Sequence, residues 1–344
     1  MLEYYGRGAV CPDLLAAPAA TKFDNRGATG KLPRMKVGVF LPVSGRAAGR
    51  QTLMQAARQA EALGYDSLWA ADRIIIPWEI RTTYPYSRDA TFIVPPDRPF
   101  FEPLTCLAFL AGCTERIQLG MSVMVLPYRH PLYWAKIATT IDHLSAGRLI
   151  MGIGIGWMQE EFAAMGASFK ERGQVSDEQL RLLTSIWRHE HSSFRGKYYA
   201  FDDIAFSPKP YQKPRLPIWI GGEGLAAQRR AGNYGDGWFP YFVRITPRDL
   251  AARFENVRAQ AAKAGRDPDG VTLACCLPIE LLSQDCPQEE DYLKGSPSQI
   301  IEAIKRFKDA GVSHLGLQFM VPHYPERQAQ IERFAREALP LLRN

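Results

Sequence analysis

The sequence predicts an α/β protein of the (β/α)8 TIM barrel class, with insertions at the C-terminal rim of the barrel. Strand-like and helix-like segments alternate from Lys36 to the C-terminus. The strand-like segments are short and continuously apolar, as strands buried on both faces of a parallel sheet are. Eight such units in roughly 310 residues fit a barrel with insertions. The alternative, a doubly wound open sheet, requires a nucleotide-binding fingerprint after the first strand, and residues 43–46 do not supply one.

Several of the predicted strands are rich in β-branched residues, and a helical pattern follows each strand. The predicted strands are residues 36–41, 66–70, 117–125, 149–153, 217–220, 237–241, 271–279 and 314–319. The first helix is expected to end at Gly64, because glycine readily adopts the left-handed conformation after a helix. Ser296 and Gln299 form the capping box of a later helix, and residues 326–342 form the last one.

Two long connections interrupt the alternation. Residues 74–102 follow the second strand and combine five prolines with several aromatic residues. Connections of this length are uncommon unless they are functional, and this one leaves the rim at which barrel active sites are built. We therefore predict a wall or lid of a substrate pocket, with Trp78, Tyr84 and Tyr86 as pocket residues. Residues 192–216 are predicted to form a β-hairpin and a proline-rich return that serve as scaffold.

Composition and charge exclude several classes of protein. The chain has 344 residues, of which 46% are hydrophobic and 23% charged, the balance of a globular protein. The net charge of +6 is dispersed, so we expect no nucleic-acid partner. No apolar run is long enough to span a membrane. The six cysteines show neither C-x-x-C nor metal-ligand spacing, so we expect reduced thiols in a cytoplasmic enzyme and no metal site.

The first 34 residues stand apart from the rest of the chain. They are rich in glycine, alanine and proline, and they lack the apolar core of a secretory signal. The first predicted strand begins directly after them, so Met35 is a candidate original start. We interpret residues 1–34 as a disordered or non-native extension, with an oligomerisation arm as the alternative, and residues 35–344 as a single barrel domain.

Five sequence blocks carry a resemblance to a known family: residues 129–131, 142–157, 162–172, 208–222 and 235–240. They resemble the luciferase-like monooxygenase superfamily, which includes enzymes that use flavin and enzymes that use the deazaflavin coenzyme F420. The sequences of residues 84–87 and 126–131 are similar to its actinobacterial branch of F420-dependent oxidoreductases. The resemblance covers nearly everything from Met35 onward.

The glycine turn formed by Gly221, Gly222, Glu223 and Gly224 follows a predicted strand and opens the predicted helix 225–232. A helix N-terminus carries unpaired N–H groups and partial positive charge, and glycines let a phosphate approach the backbone closely. We predict that this turn binds the cofactor phosphate. The alternative is a tight turn that merely needs glycine for its backbone conformation.

The resemblance also implies which residues hold the cofactor ring. Gly154, Ile155, Gly156 and Trp157 follow the fourth strand, where glycines in relatives let the backbone lie against a flat ring; crowded sheet packing is the alternative. In relatives the peptide equivalent to the one joining Ser122 and Val123 is cis and supports the ring from behind. That peptide bond has no signature in the bare sequence, where an ordinary strand is the default.

Asp72 and Arg73 end the second predicted strand, where relatives commonly carry an aspartate and a histidine. The resemblance implies that Asp72 lies near the cofactor and that both residues act in catalysis. Arginine cannot shuttle a proton near neutral pH, but it can hold an anionic or carbonyl oxygen. The alternative for the two residues is an ion pair at the rim. Trp157 occupies the place of a catalytic glutamate in the sugar-phosphate dehydrogenase branch, which disfavours that substrate class.

The function implied is hydride transfer between reduced F420 and an activated double bond of a small, apolar organic substrate. The chemistry of such an enzyme belongs mainly to its cofactor. An FMN-dependent monooxygenase is the first alternative, because the same barrel and glycine turn would serve FMN. A non-catalytic flavin- or deazaflavin-binding protein is the second, because two proton-handling residues of relatives are replaced. Relatives are usually homodimers, so we expect a homodimer that binds a small molecule.

Overall fold

The computed structural model describes residues 34–87, 90–92, 94–241, 246–289 and 292–343. The predicted extension, apart from Arg34, lies outside these residues. The strands in chain order are β1 (Lys36–Phe40), β2 (Ser67–Ala70), β3 (Gln118–Met121), β4 (Met124–Val125), β5 (Leu149–Gly154), β6 (His191–Arg195), β7 (Ala200–Ala205), β8 (Ile218–Ile220), β9 (Gly237–Trp238), β10 (Thr272–Leu281), β11 (Leu293–Gly295) and β12 (His314–Phe319). The helices are α1 (Arg50–Ala62), α2 (Pro103–Ala111), α3 (Pro131–Leu144), α4 (Gln159–Ala164), α5 (Arg172–Arg188), α6 (Leu225–Tyr234), α7 (Pro247–Lys263), α8 (Pro297–Asp309), α9 (Tyr324–Glu337) and α10 (Leu339–Arg343).

Eight parallel strands close into a barrel, which confirms the predicted (β/α)8 fold. The order around the barrel is β1, β2, β3, β5, β8, β9, β10 and β12, and β12 pairs with β1 to close it. The closing register places Lys36 opposite His314 and Gly38 opposite Gly316. Parallel strands need a crossover between them, and the helices α1, α2, α3, α5, α6, α7 and α8 lie in those crossovers. The hairpin of β6 and β7 forms a separate antiparallel pair, as predicted.

Stacked aromatic rings fill the inside of the barrel. The ring of Trp69 lies 4.5 Å from that of Phe239 and 5.4 Å from that of Trp219, measured between centroids. A side chain at Gly120, on the strand beside Trp69, would overlap the indole. Large rings on some strands thus require glycine on their neighbours, and the barrel interior is a packed core rather than a pore.

The structure differs from the predicted boundaries at three places. The strand predicted over residues 117–125 is divided into β3 and β4 by a cis peptide bond between Ser122 and Val123. The strand predicted over residues 237–241 is only Gly237–Trp238. The last predicted helix is divided at Ala338, whose φ of −113° departs from helical values. Short strands at barrel ends and a local break within a helix leave no clear trace in hydrophobic periodicity.

Candidate active site

A cavity of about 1160 Å³ opens at the carboxyl ends of the barrel strands. Its walls come from the loops that follow β1, β2, β3, β5, β8 and β12. Most predicted site residues line it: Asp72, Arg73, Tyr84, Tyr86, Ser122, Val123, Gly154, Ile155, Gly156, Trp157, Gly221, Gly222, Glu223 and Gly224. Trp78 does not line the cavity, and 84% of its surface is exposed, so its predicted place in the pocket is wrong. Proline and aromatic content predicts that a loop is ordered, but not which of its rings turn inward.

The glycine turn lies between the end of β8 and the start of α6. Gly222 has a φ of +92°, which favours glycine, and Gly224 is the N-cap residue of α6. A Cβ atom added at Gly224 would have no heavy atom within 4 Å, so the turn faces open space. The indole N–H of Trp238 donates to the carbonyl oxygen of Gly222 over 2.9 Å. The turn is therefore held firmly while the N-terminus of α6 stays accessible from the cavity.

The cis peptide bond between Ser122 and Val123 forms one wall of the cavity. The side chain of Val123 lies between two glycines: a Cβ added at Gly154 would lie 2.6 Å from its Cγ2, and one at Gly221 would lie 2.9 Å from its Cγ1. A Cβ at Gly152 would overlap the carbonyl oxygen of Met121. Close packing between neighbouring strand ends thus explains Gly152 and part of the need for Gly154. Gly154 and Gly156 also face the cavity itself.

The Asp72 carboxylate is fully engaged by groups behind the cavity wall. It accepts hydrogen bonds from Nη1 and Nη2 of Arg129 at 2.7 and 2.8 Å and from the backbone N–H of Val125 at 2.8 Å. Such a two-pronged arginine pair is strong and directional. Asp72 therefore ties the end of β4 to the loop after β2, next to the Ser122–Val123 wall. The sequence offers an ion pair at the rim as the alternative role of Asp72 and Arg73. Asp72 does form an ion pair, but with Arg129 rather than with Arg73.

Arg73 is held by the carboxylate of Glu161. Its Nη1 donates to Glu161, which is completely buried and also accepts from the Tyr128 hydroxyl and the Ile74 backbone N–H, each at 2.8 Å. The guanidinium lies 5.0 Å from the ring centre of Phe92 and 5.1 Å from that of Trp157. Glu161 sits in the short helix α4 after β5, and its only sequence signal was its proximity to the rim.

A cluster of aromatic rings forms another part of the cavity wall. The ring of Tyr84 lies 4.9 Å from Trp157, 5.3 Å from Phe92 and 5.6 Å from Tyr86, and Tyr86 lies 5.3 Å from Tyr241. Burial raises the pKa of Tyr86 to about 12 and also raises the pKa of Tyr84 and Tyr241. These hydroxyls consequently stay protonated at neutral pH. The wall is apolar in its rings and offers hydrogen-bond donors at its edge.

Among the described residues, no group of three or more histidine, cysteine, aspartate or glutamate side chains could hold a metal ion. No helix of the described part of the chain is long and apolar enough to cross a membrane. His130 precedes α3 as its N-cap residue and does not line the cavity.

Comparison with known proteins gives a consistent picture. The family model of the luciferase-like monooxygenases matches residues 35–281. An uncharacterized protein of Mycobacterium tuberculosis is 29% identical over 268 residues, which cover 78% of this chain and 84% of that protein. The phthiodiolone/phenolphthiodiolone dimycocerosates ketoreductase of M. tuberculosis is 32% identical over 220 residues, which cover 62% of this chain and 57% of that enzyme.

Two solved structures share the barrel. An F420-dependent secondary alcohol dehydrogenase in complex with an F420-acetone adduct has a TM-score of 0.73 at 19% identity, covering 90% of this chain and 100% of that one. A riboflavin lyase with modified FMN and riboflavin has a TM-score of 0.71 at 15% identity, covering 90% and 91%. At these identities the likeness establishes the fold alone. It does not show whether this chain binds F420 or FMN.

Proposed function

The chain belongs to the luciferase-like monooxygenase family, and we propose that it is an F420-dependent oxidoreductase that passes a hydride between reduced deazaflavin and an activated double bond of a small organic substrate. One observation carries this proposal. A single cavity is bounded by the Ser122–Val123 peptide, by Gly154 and Trp157, and by the glycine turn after β8. A cofactor with a flat ring and a phosphate needs a surface for each of them within the same cavity.

The cavity has the size and chemistry that such a cofactor requires. Ligand pockets usually measure about 300–1,000 Å³, so 1160 Å³ leaves room for a cofactor together with a substrate. The open space at Gly224, at the N-terminus of α6, suits a phosphate. The hydroxyl oxygen of Ser122 is buried and has no hydrogen-bond partner among the described residues, so a polar atom of the ring would satisfy it.

The bound deazaflavin would supply the hydride, and the residues of the chain would prepare the acceptor. Arg73 would hold the carbonyl or other oxygen of the substrate, because its guanidinium is fixed by Glu161 and its residue lines the cavity. Trp157 and Tyr84 would cover the acceptor and exclude water. Tyr84 and Tyr86, kept protonated by burial, are hydroxyl donors that line the same cavity.

The alternative within the same family is an FMN-dependent monooxygenase. Its support is the family itself and the FMN-containing structure that shares the barrel. We favour F420 because the ketoreductase among the mycobacterial relatives and the F420-dependent alcohol dehydrogenase act as carbonyl-reducing or alcohol-oxidising enzymes by name. A guanidinium at the substrate side suits the reduction of a polarised oxygen-bearing bond better than the activation of molecular oxygen.

Turnover with defined cofactors tests the proposal. Reduced F420 is mixed with the enzyme under nitrogen and offered enones, ketones and imines, and reoxidation of the deazaflavin is followed by its absorbance. Acceptor-dependent reoxidation is expected. In parallel, reduced FMN and oxygen are supplied with the same compounds, and product oxygenation is measured by mass spectrometry. Oxygenated products without any F420 turnover would replace the proposal by the monooxygenase alternative.

We also propose that the enzyme is a cytoplasmic homodimer. Among the described residues, Cys106, Cys113, Cys275 and Cys286 form no disulfide bond, as in a reducing compartment. Tyr133 and Leu144 on α3 are 68% and 64% exposed and lie three helical turns apart on one face, which suits an interface between two copies. Light scattering coupled to gel filtration tests the dimer, and Tyr133→Glu should yield monomers; a monomeric wild-type chain would refute it.

A further inference from the structure

The cavity contains more positive charge than its own carboxylates neutralise. Its charged lining residues are five arginines and two carboxylates: Arg46, Arg73, Arg98, Arg230, Arg327, Asp72 and Glu223. Five of these have an ion-pair partner: Asp72 with Arg129, Arg73 with Glu161, Arg98 with Asp97, Glu223 with Arg253, and Arg230 with Asp177. Arg46 and Arg327 have no carboxylate within ion-pair distance among the described residues.

Arg327 is the better ordered of these two arginines. It lies in the first turns of α9, and its Nε and Nη2 both donate to the carbonyl oxygen of Val321, at 3.0 and 2.9 Å. Its Nη1 makes no hydrogen bond and is not among the buried unpartnered atoms of the described residues, so it remains accessible. Burial lowers the pKa of the Arg327 guanidinium, which marks a partly desolvated cation without a counter-charge. An incoming anion would be stabilised there.

The place of these arginines in the barrel separates them from the glycine turn. Arg46 follows β1 and Arg327 follows β12, and these two strands are neighbours. The glycine turn follows β8, which lies four strand positions from β1 in a ring of eight, on the opposite side of the barrel. A phosphate bound at the glycine turn therefore cannot also neutralise Arg46 and Arg327. The aromatic rings of Tyr84, Tyr86 and Trp157 line the same cavity.

We propose that the acceptor of this enzyme is a carboxylate-bearing compound with an aromatic or unsaturated body, whose carboxylate is bound by Arg327 with help from Arg46. The reaction type in this proposal rests on the proposed function. The substrate class rests on the two arginines alone. The family resemblance implies an apolar substrate, whereas this proposal gives the substrate an apolar body and one charged end. The body lies against Tyr84 and Trp157, and the charged end points toward the loops after β1 and β12.

Binding of cinnamate and of cinnamamide to the cofactor-free enzyme tests this, because the two probes differ only in charge at one end. Titration calorimetry should show cinnamate binding at least about tenfold more tightly, as expected for hydrogen bonds to a charged group. Arg327→Gln should remove this preference, and Arg327→Lys should retain part of it. Arg336→Gln is the matched control: it removes the same charge from an exposed position of the same helix, outside the cavity, and should change nothing.

Equal affinity for the two probes, or an equal loss in the Arg336→Gln variant, would overturn the proposal. A second arm compares F420 with the same deazaflavin lacking its glutamates. If Arg327→Gln weakens only the glutamate-bearing form and leaves cinnamate binding intact, the carboxylate belongs to the cofactor tail and the substrate assignment is wrong. Because the cinnamate arm uses no cofactor, its failure is distinguishable from failure of the enzyme to use F420.

Discussion

The guanidinium of Arg73 and the carboxylate of Glu161 form a buried ion pair beside the candidate cofactor cavity. The exposed fractions of the two side chains are 7% and 0%. The pair joins the end of β2 to the helix α4 after β5, and Tyr128 adds a second hydrogen bond to the same carboxylate oxygen. Arg73 thus has two roles: it takes part in a buried ion pair, and it is the proposed contact to the substrate. Mutations can separate these two roles.

Glu161→Gln should destabilise the fold because it leaves the Arg73 charge buried without a partner. Removing one member of a buried pair costs about 3–5 kcal/mol, to be measured as the free energy of unfolding in urea. The double variant Arg73→Gln/Glu161→Gln should lose clearly less than the sum of the two single variants, since neighbouring residues are energetically coupled. Additive losses would show that the two side chains do not interact in solution.

Arg73→Gln should lower kcat about 100-fold for carbonyl acceptors, the usual effect of removing one donor to a developing negative charge. Cofactor affinity should stay unchanged, since the proposed partner of Arg73 is the acceptor and not the cofactor. Arg73→His places a group that titrates near neutrality at this position, so its activity should acquire a pH dependence that the wild-type arginine does not confer. Identical pH profiles of wild type and Arg73→His would argue against contact between residue 73 and the acceptor.

Gly154→Ala should impair cofactor binding and stability together. The added Cβ would lie 2.6 Å from Cγ2 of Val123, so the wall formed by the cis peptide has to shift. Val123→Ala removes that methyl group, and the double variant should recover much of the loss seen with Gly154→Ala alone. Thermal unfolding and cofactor titration of the three variants measure this. A double variant as impaired as Gly154→Ala would show that the alanine contacts something other than Val123.

Stability should fall on acidification partly because of His314. The imidazole is buried, its Nε2 lies 2.7 Å from the Ser67 hydroxyl, and burial, aided by Lys36, lowers its pKa well below the ordinary value. An unfolded histidine binds a proton near pH 6.5, so the unfolded state holds more protons than the folded state below that pH. Above about pH 6.5, His314 is neutral in both states and its burial costs no stability. As the pH falls further, the unfolded state gains a proton that the folded state does not, and the free energy of unfolding decreases.

Urea unfolding at pH 8 and pH 5.5 measures this contribution. His314→Asn should be less stable than wild type at pH 8, yet it should lose less stability between the two pH values. The carboxylates titrate equally in both proteins and cancel in the comparison. Equal slopes for the two proteins would contradict a neutral, buried His314.

The sequence predicted the architecture well because a parallel barrel leaves strong local signals. Continuous apolar strands, the capping box at Ser296 and the glycine turn after β8 appear where they were expected. The cis peptide at Ser122 was implied only by the family resemblance, since two ordinary strand residues carry no sign of it. The structure contains it.

The partners of the charged residues could not be predicted in the same way. Asp72 pairs with Arg129, 57 residues away, and Arg73 with Glu161, 88 residues away. Such pairs depend on the shape of loops rather than on periodicity. The same limit explains Trp78, whose side chain is exposed to solvent and does not line the cavity. It also explains why the sequence alone does not reveal that Arg327 lines a cavity and has no ion-pair partner among the described residues.

Parallel titration of the purified protein with F420 and with FMN tests the central claim most directly. Fluorescence quenching should report tight, saturable binding of F420 and much weaker binding of FMN. Substituting Gly222, whose φ is +92°, by valine should weaken the binding of F420, because the phosphate turn would be strained. Tight FMN binding with no response to F420 would contradict the account.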